Sequence, residues 1–222
     1  MFPLRDTQPS YSRPVVTVFL IVLNVLIFLF EVSLDPFSRN HFIAEYGLVP
    51  DRFHAVNLVT SMFLHGGWMH VLGNMWFLWI FGDNIEDILG HGKYLVFYLA
   101  CGVAAALAQV FFNPLSRLPM VGASGAIAGV MGAYMVKFPR SRILTLVFIF
   151  IFVTTFEVPA VVMLVYWFFI QLVSGLGTVG YSQLSEGGTA WFAHVGGFVA
   201  GVLLIYLMVP RPAYSRRRDL SW

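Results

Sequence analysis

Apolar residues in this chain fall into long unbroken runs. They do not show the short alternation of a half-buried strand or the one-sided stripe of a surface helix. A helix needs roughly 20 predominantly apolar residues to cross a bilayer, with a range of about 17–25. Runs at residues 14–33, 66–82, 94–113, 122–138, 158–174 and 190–209 meet that need and predict six spans. A further run, Ile143 to Phe156, is almost wholly apolar but only 14 residues long. As a helix it measures about 21 Å, which suits a re-entrant or interfacial segment better than a crossing. Residues 34–65 form a long first loop whose apolar content (Phe37, Phe42, Tyr46, Leu48, Phe53) predicts packing against or into the membrane interface. Residues 175–189 are rich in Gly, Ser and Thr and read as a flexible connection.

Composition agrees with the pattern. Of 222 residues, 59% are hydrophobic and 11% charged, with a mean hydropathy of +0.79, whereas soluble domains carry about 25% charged residues. The fold class expected is an all-α polytopic membrane protein with one domain. Arg5 and Arg13 precede the first run in the manner of a signal peptide. The run is too long for that and lacks a small-x-small cleavage site, so it reads as a retained span. Orientation follows from the basic residues. Ten of them (Arg5, Arg13, Lys93, Lys137, Arg140, Arg142, Arg211, Arg216, Arg217, Arg218) fall on one side and three (Arg39, Arg52, Arg117) on the other. Both termini are therefore expected in the cytoplasm of a multi-pass cell-membrane protein. A net charge of +2 without a basic stripe argues against nucleic acid. Cys101, the sole cysteine, excludes an intrachain disulfide and a cysteine metal cluster, and reads as a small buried hydrophobe.

Two polar side chains stand at the mouths of glycine-rich apolar runs. Ser124 sits in Val121-Gly122-Ala123-Ser124-Gly125-Ala126, and His194 in Ala193-His194-Val195-Gly196-Gly197. With six spans, the second, fourth and sixth run in one direction, so Ser124 and His194 share a depth near the outer face. A seventh crossing at 143–156 would send His194 to the opposite leaflet. Gly122, Gly125, Gly129 and Gly132 fall on one face of the fourth span, and His194, Gly197 and Gly201 on one face of the sixth. Small faces serve plain helix packing, but if these two meet they also bring a hydroxyl to an imidazole, the pairing that nucleophilic catalysis requires. The second span adds His70 and Asn74 at i and i+4, in the same half of the bilayer. Polar groups there are costly and usually functional, although Asn74 could equally bond a neighbouring helix. His65 is about 140° round the helix from His70, and no carboxylate lies at that depth, so no metal site and no cofactor are expected. Glu31 and Asp35 end the first span, and Asp83, Glu86, Asp87 and Glu157 lie toward the cytoplasm. The pair therefore reads as a Ser–His dyad without an acid.

Gly122-Ala123-Ser124-Gly125, Ala193-His194-x-x-Gly197-x-x-x-Gly201 and His65-x4-His70-x3-Asn74, in that span arrangement, resemble the rhomboid family of intramembrane serine proteases. The resemblance covers about residues 14 to 210 and implies a six-transmembrane-helix rhomboid domain there. Residues 1–13 and the basic tail 211–222 would flank it on the cytoplasmic side. It implies Ser124 as nucleophile, His194 as general base, and His70 and Asn74 as oxyanion donors. His65, Gly122, Gly125, Gly197 and Gly201 are expected as structural neighbours of the site. Some members stack an aromatic on the catalytic histidine from one turn after the serine. Ala128 stands there in this chain, so close packing along Gly197 and Gly201 is the expected substitute. The implied partners are the lipid bilayer and transmembrane protein substrates, admitted by movement of the fifth span, with its Tyr166, Trp167, Phe168 and Phe169, and the loop after it. A non-catalytic relative that binds or escorts membrane proteins is the alternative; such relatives lack the Ser or the His. A transporter would spread polar groups through the membrane depth, and here they cluster in one half.

Overall fold

The computed structural model describes residues 2–149, 152–178 and 190–209. Six long helices lie where the six runs predict them: α1 (Val15–Ser33), α4 (Trp68–Leu89), α5 (His91–Phe112), α6 (Ser124–Lys137), α7 (Ala160–Thr178) and α8 (Trp191–Met208). Of these, α1, α5, α7 and α8 are long and apolar enough to cross a membrane, and the protein is a polytopic helical membrane protein. The 14-residue α6 is about 21 Å long, well short of a ~30 Å hydrocarbon core. It sits in the middle of the bundle, with every residue from Gly125 to Tyr134 buried, against α8, α5 and α4. Its three glycines each disfavour a helix in water by about 1 kcal/mol. Tertiary packing overrides that preference here.

The first loop is ordered. It holds α2 (Pro36–Tyr46), the four-residue α3 (Asn57–Thr60) and two single 3-10 turns. Asp35 caps α2 by accepting from the N–H groups of Phe37 and Ser38. Asn57 donates to the carbonyls of Glu45 and Gly47, and Leu48 exchanges both backbone hydrogen bonds with Met120. The loop thereby grips the segment that leads into Ser124.

At the other end lies the apolar run 143–156, expected as a re-entrant or interfacial segment. Its described residues belong to a β-hairpin, β2 (Arg142–Ile149) and β3 (Phe152–Pro159), extended by β1 (Phe2–Asp6) into an antiparallel sheet of order β1-β2-β3. The run is rich in Ile, Val, Thr and Phe, residues that favour a pleated surface. Its outer partner comes from 140 residues away, beyond the reach of any local periodicity. The hairpin returns the chain to the end of α6, where the N–H of Ala160 donates to Ser141 O. No crossing is added. Residues 2–6 are thus part of the fold, with Trp76 Nε1 donating to Pro3 O at 2.6 Å and Tyr134 Oη to Asp6.

The second span, α4, also runs seven residues past its expected end at 82, to Leu89, where the positive φ of 73° at Gly90 stops it. The acidic residues that suggested an end are used instead as anchors. Buried Glu86 accepts from the N–H groups of Val16 and Thr17 and from Thr17 Oγ1, at 2.7–2.8 Å, which satisfies orphan donors at the start of α1. Asp87 accepts from the N–H groups of Tyr11 and Ser12. After residue 174 the chain stays helical to Thr178. The rest of the expected loop to 189, and the tail 211–222, lie outside the described residues.

Two outcomes follow. Glu86→Ala strands three donors, so it should destabilise the protein by about 2–4 kcal/mol, read as a lower Tm in detergent. Asp6 is pushed up to about 6 by burial, against the hydrogen bond from Tyr134. A raised carboxyl pKa favours the folded state fully below the ordinary carboxylate range, and that contribution is lost as pH rises through about 6. Once corrected for intrinsic exchange, the β1 amides should be better protected at pH 5 than at pH 8, and Asp6→Asn should flatten the difference.

Candidate active site

Ser124 is the first residue of α6, and what precedes it is built by the first loop. The Gly122 N–H donates to Ser61 O at 2.9 Å. Gly122 has φ 122°, a conformation open to glycine, and a Cβ there would stand 2.7 Å from His70 Nε2. It lies outside the helix and so is not part of the α6 stripe as the sequence pattern had it. The stripe proper is Gly125, Gly129 and Gly132. A Cβ on Gly125 would strike Ala105 and one on Gly129 would strike Cys101, both on α5, while Gly132 abuts Phe198 O on α8. From the facing helix, Gly197 lies on Gly125 O and Gly201 on Gly129 O, with no room for a Cβ at either.

That backbone contact brings the two polar side chains together. Ser124 Oγ lies 2.8 Å from His194 Nε2. The other ring nitrogen, Nδ1, lies 2.6 Å from Oε1 of Gln171 on α7. The Trp167 ring lies alongside the imidazole, centroids 5.7 Å apart, and Trp191 meets it edge-on at 6.3 Å. The ring is thus held by Gln171 and two indoles, whereas packing along Gly197 and Gly201 sets the helix spacing. Ala128, fully buried in the core, takes no part. Gln171 was missed at the sequence level. The available signal was an amide side chain in an apolar span, a turn after Trp167.

His70 and Asn74 face the same place from α4. Both approach Gly122 and line, with Ser124 and His194, a cavity of about 620 Å³. Asn74 Nδ2 is a buried donor with no partner among the described residues. His70 Nδ1 accepts from the N–H of Gly66 at 3.4 Å, which leaves the proton on Nε2, the nitrogen nearest Gly122. Buried His65 sits behind. Its N–H donates to Glu31 Oε1 at 3.0 Å, its carbonyl accepts from Arg39, and its ring meets Phe28 and His70 edge-on. It ties α1, the first loop and α4 together. Glu31 is fully buried there, where the sequence placed it only at a helix end. No group of three or more His, Cys, Asp and Glu side chains that could hold a metal occurs among the described residues. Chemically, the site offers a hydroxyl on a basic nitrogen beside free N–H donors.

The sequence model of the rhomboid domain matches residues 52–211. The chain belongs to the rhomboid family. It is similar to rhomboid protein 1, mitochondrial, of Saccharomyces cerevisiae, 28% identical over 186 residues, 81% of this chain and 50% of that one. It is 33% identical over 127 residues to rhomboid protease GluP of Bacillus subtilis, 55% of this chain and 24% of that one. Rhomboid-like protein 11, chloroplastic, of Arabidopsis thaliana is 28% identical over 206 residues, 89% and 70% respectively. This rhomboid thus spans half the length of the yeast relative and about a quarter of the Bacillus one.

The glycine contact in this rhomboid can be tested by stability alone. Gly201→Val should lower stability by about 1–3 kcal/mol or more, since the branched side chain meets backbone that cannot yield. Gly92→Ala, where a Cβ meets open space in α5, should be neutral or slightly stabilising. Equal Tm values for the two variants would show that α6 and α8 do not need this approach.

Proposed function

We propose that this rhomboid is an intramembrane serine endopeptidase that hydrolyses peptide bonds in or near transmembrane segments of membrane proteins. The observation that carries the reading is the 2.8 Å contact between Ser124 Oγ and His194 Nε2, inside a cavity that also holds an unpartnered amide donor. His194 takes the Ser124 proton as Oγ attacks the scissile carbonyl, then passes it to the leaving amine. Water, entering by the same cavity, releases the acyl group by the reverse roles. The negative oxygen of the tetrahedral intermediate is received by Asn74 Nδ2, by His70 Nε2–H and by the backbone N–H of Ser124. That N–H is free because the first N–H groups of a helix have no intrahelical acceptor. Gly122 keeps the approach clear. A substrate helix must open locally before its carbonyl can be reached, so segments weakened by glycine or other poor helix formers are the preferred class.

In this reading the protein spans the cell membrane several times, with both termini in the cytoplasm and the cavity toward the outer face. The pairing of β1 with β2 supports that sidedness, since it gathers the N-terminus and the basic Arg140 and Arg142 at the end opposite Ser124. The Bacillus relative is by name a rhomboid protease, which supports the activity.

The purified protein in detergent or liposomes should label with a fluorophosphonate at Ser124 and cleave a transmembrane reporter. Ser124→Ala and His194→Ala should abolish cleavage. Asn74→Ala should lower kcat by about 100- to 1000-fold, the usual cost of one oxyanion donor. Glu157→Gln, exposed at the far end, should leave it unchanged. Cleavage by Ser124→Ala sinks the proposal. A reporter bound but never cut by the intact protein favours the non-catalytic, escorting reading.

A further inference from the structure

We infer that Gln171 is a positioning residue, completing a Ser124–His194–Gln171 chain in which a neutral amide stands where an acid would orient the base. The inference rests on the reading of Ser124 and His194 as nucleophile and base. A neutral imidazole has one N–H and one lone pair. An amide oxygen can only accept, so the 2.6 Å contact with Gln171 Oε1 puts the proton on Nδ1. The lone pair is then on Nε2, facing Ser124 Oγ at 2.8 Å. This is the tautomer that can take the serine proton. With the amide reversed, its NH2 would donate to Nδ1, and Nε2 would carry hydrogen and be useless as a base.

Gln171 also does work after proton transfer. The imidazolium has two N–H groups. Nε2–H turns to the leaving amine, while Nδ1–H stays on the amide oxygen, whose dipole opposes the new positive charge. Gln171 is 6% exposed, and an ionised carboxylate buried there before the reaction would cost several kcal/mol in desolvation. An amide supplies direction and partial charge without that burden.

Placement on α7 adds a consequence. α7 packs mainly on α8 and only lightly on α6, with the Phe168 ring tilted against Phe198 at 4.8 Å and Trp167 beside both Phe198 and His194. Trp167 and Gln171 are one turn apart, so the helix that shields the imidazole also sets its tautomer. Serine activation therefore depends on α7 being seated against α8.

The test uses the full-length protein in micelles with [15N]histidine, the His194 signals being assigned by their loss in His194→Asn. Nδ1–H with bare Nε2 is expected in the wild type and in Gln171→Glu, which still accepts. Gln171→Met, of similar shape but without a strong acceptor, should shift the ring toward Nε2–H. On a transmembrane reporter, Gln171→Met should lower kcat by about 10- to 100-fold with KM within about twofold. That range lies between the loss of one neutral hydrogen bond and the loss of a triad acid. Gln171→Glu should recover part of the loss, and Val173→Leu, on the exposed face of α7, should match the wild type. An Nε2–H tautomer in the wild type overturns the inference, as does a Gln171→Met protein with unchanged tautomer and kcat. So does a loss that only follows Tm and is equal in Gln171→Glu. If Gln171→Met does not fold, the wild-type tautomer and the Gln171→Glu activity decide. A wild type that neither labels nor cleaves defeats the protease reading, and its tautomer still decides the role of Gln171.

Discussion

The close approach of α6 and α8 is the constraint on which the rest of the molecule depends. Gly197 and Gly201 lie directly on the carbonyls of Gly125 and Gly129, so the two backbones touch where side chains would normally hold helices about 8–10 Å apart. Within lipid no hydrophobic force separates a good helix contact from a poor one, and dispersion across small residues decides which faces pair. The same contact fixes rotation. With those glycines in register, Ser124 at the start of α6 and His194 in the first turn of α8 must project into one space. A one-residue slip would turn either side chain by about 100° and end the 2.8 Å contact. α5 completes the seat, with Ala105 and Cys101 filling the groove beside Gly125 and Gly129. The lone cysteine thus belongs to the packing of the central helix.

The two ends of the bundle handle polarity in opposite ways. Far from the site, carboxylates are spent on structure: Glu86 and Asp87 cap the entry to α1, and Asp6 receives Tyr134. Their partners are mostly backbone N–H groups and hydroxyls, with His91 also meeting Glu86 at 2.6 Å, so the fold is tied by charge-assisted hydrogen bonds more than by ion pairs. At the site end the described residues lining the cavity include no carboxylate, and Asn74 Nδ2 is left without a partner among the described residues. An unpaired buried donor is expensive. It is tolerated where the missing partner is a ligand, and the proposed oxyanion role gives Asn74 such a partner.

Much of this was legible in the residues. Ser124, His194, His70 and Asn74 announce themselves because polar side chains inside apolar runs are rare. The small-residue intervals also gave the helix faces that meet. What escaped notice has a common physical cause. The β-hairpin depends on a partner strand at residues 2–6, and the continuation of α4 to Leu89 depends on donors from α1 that employ Glu86. Gln171 depends on how α7 is rotated against α8. Each is a long-range contact, invisible to periodicity, and each concerns a residue whose local reading was sound in isolation. Gly122 errs the other way: its spacing fits the α6 stripe, but its positive φ belongs to the turn before the helix.

Among the described residues no acid lies beside His194, and in the proposed mechanism this is a deficit only if the third member of a triad is taken to supply charge. Its prior duty is to choose a tautomer, and any acceptor on Nδ1 does that. In water the choice between carboxylate and amide is nearly free, and the carboxylate gains from stabilising the imidazolium. In a bundle where α6, α7 and α8 enclose the ring, the balance reverses. A carboxylate there would be desolvated throughout, while in the proposed mechanism the imidazolium exists only during turnover. An amide costs little at rest and still opposes the charge when it appears. On that proposal Glu86, Asp87 and Asp6 are left to fasten the fold, and the polar residue on α7 that meets His194 can be a glutamine.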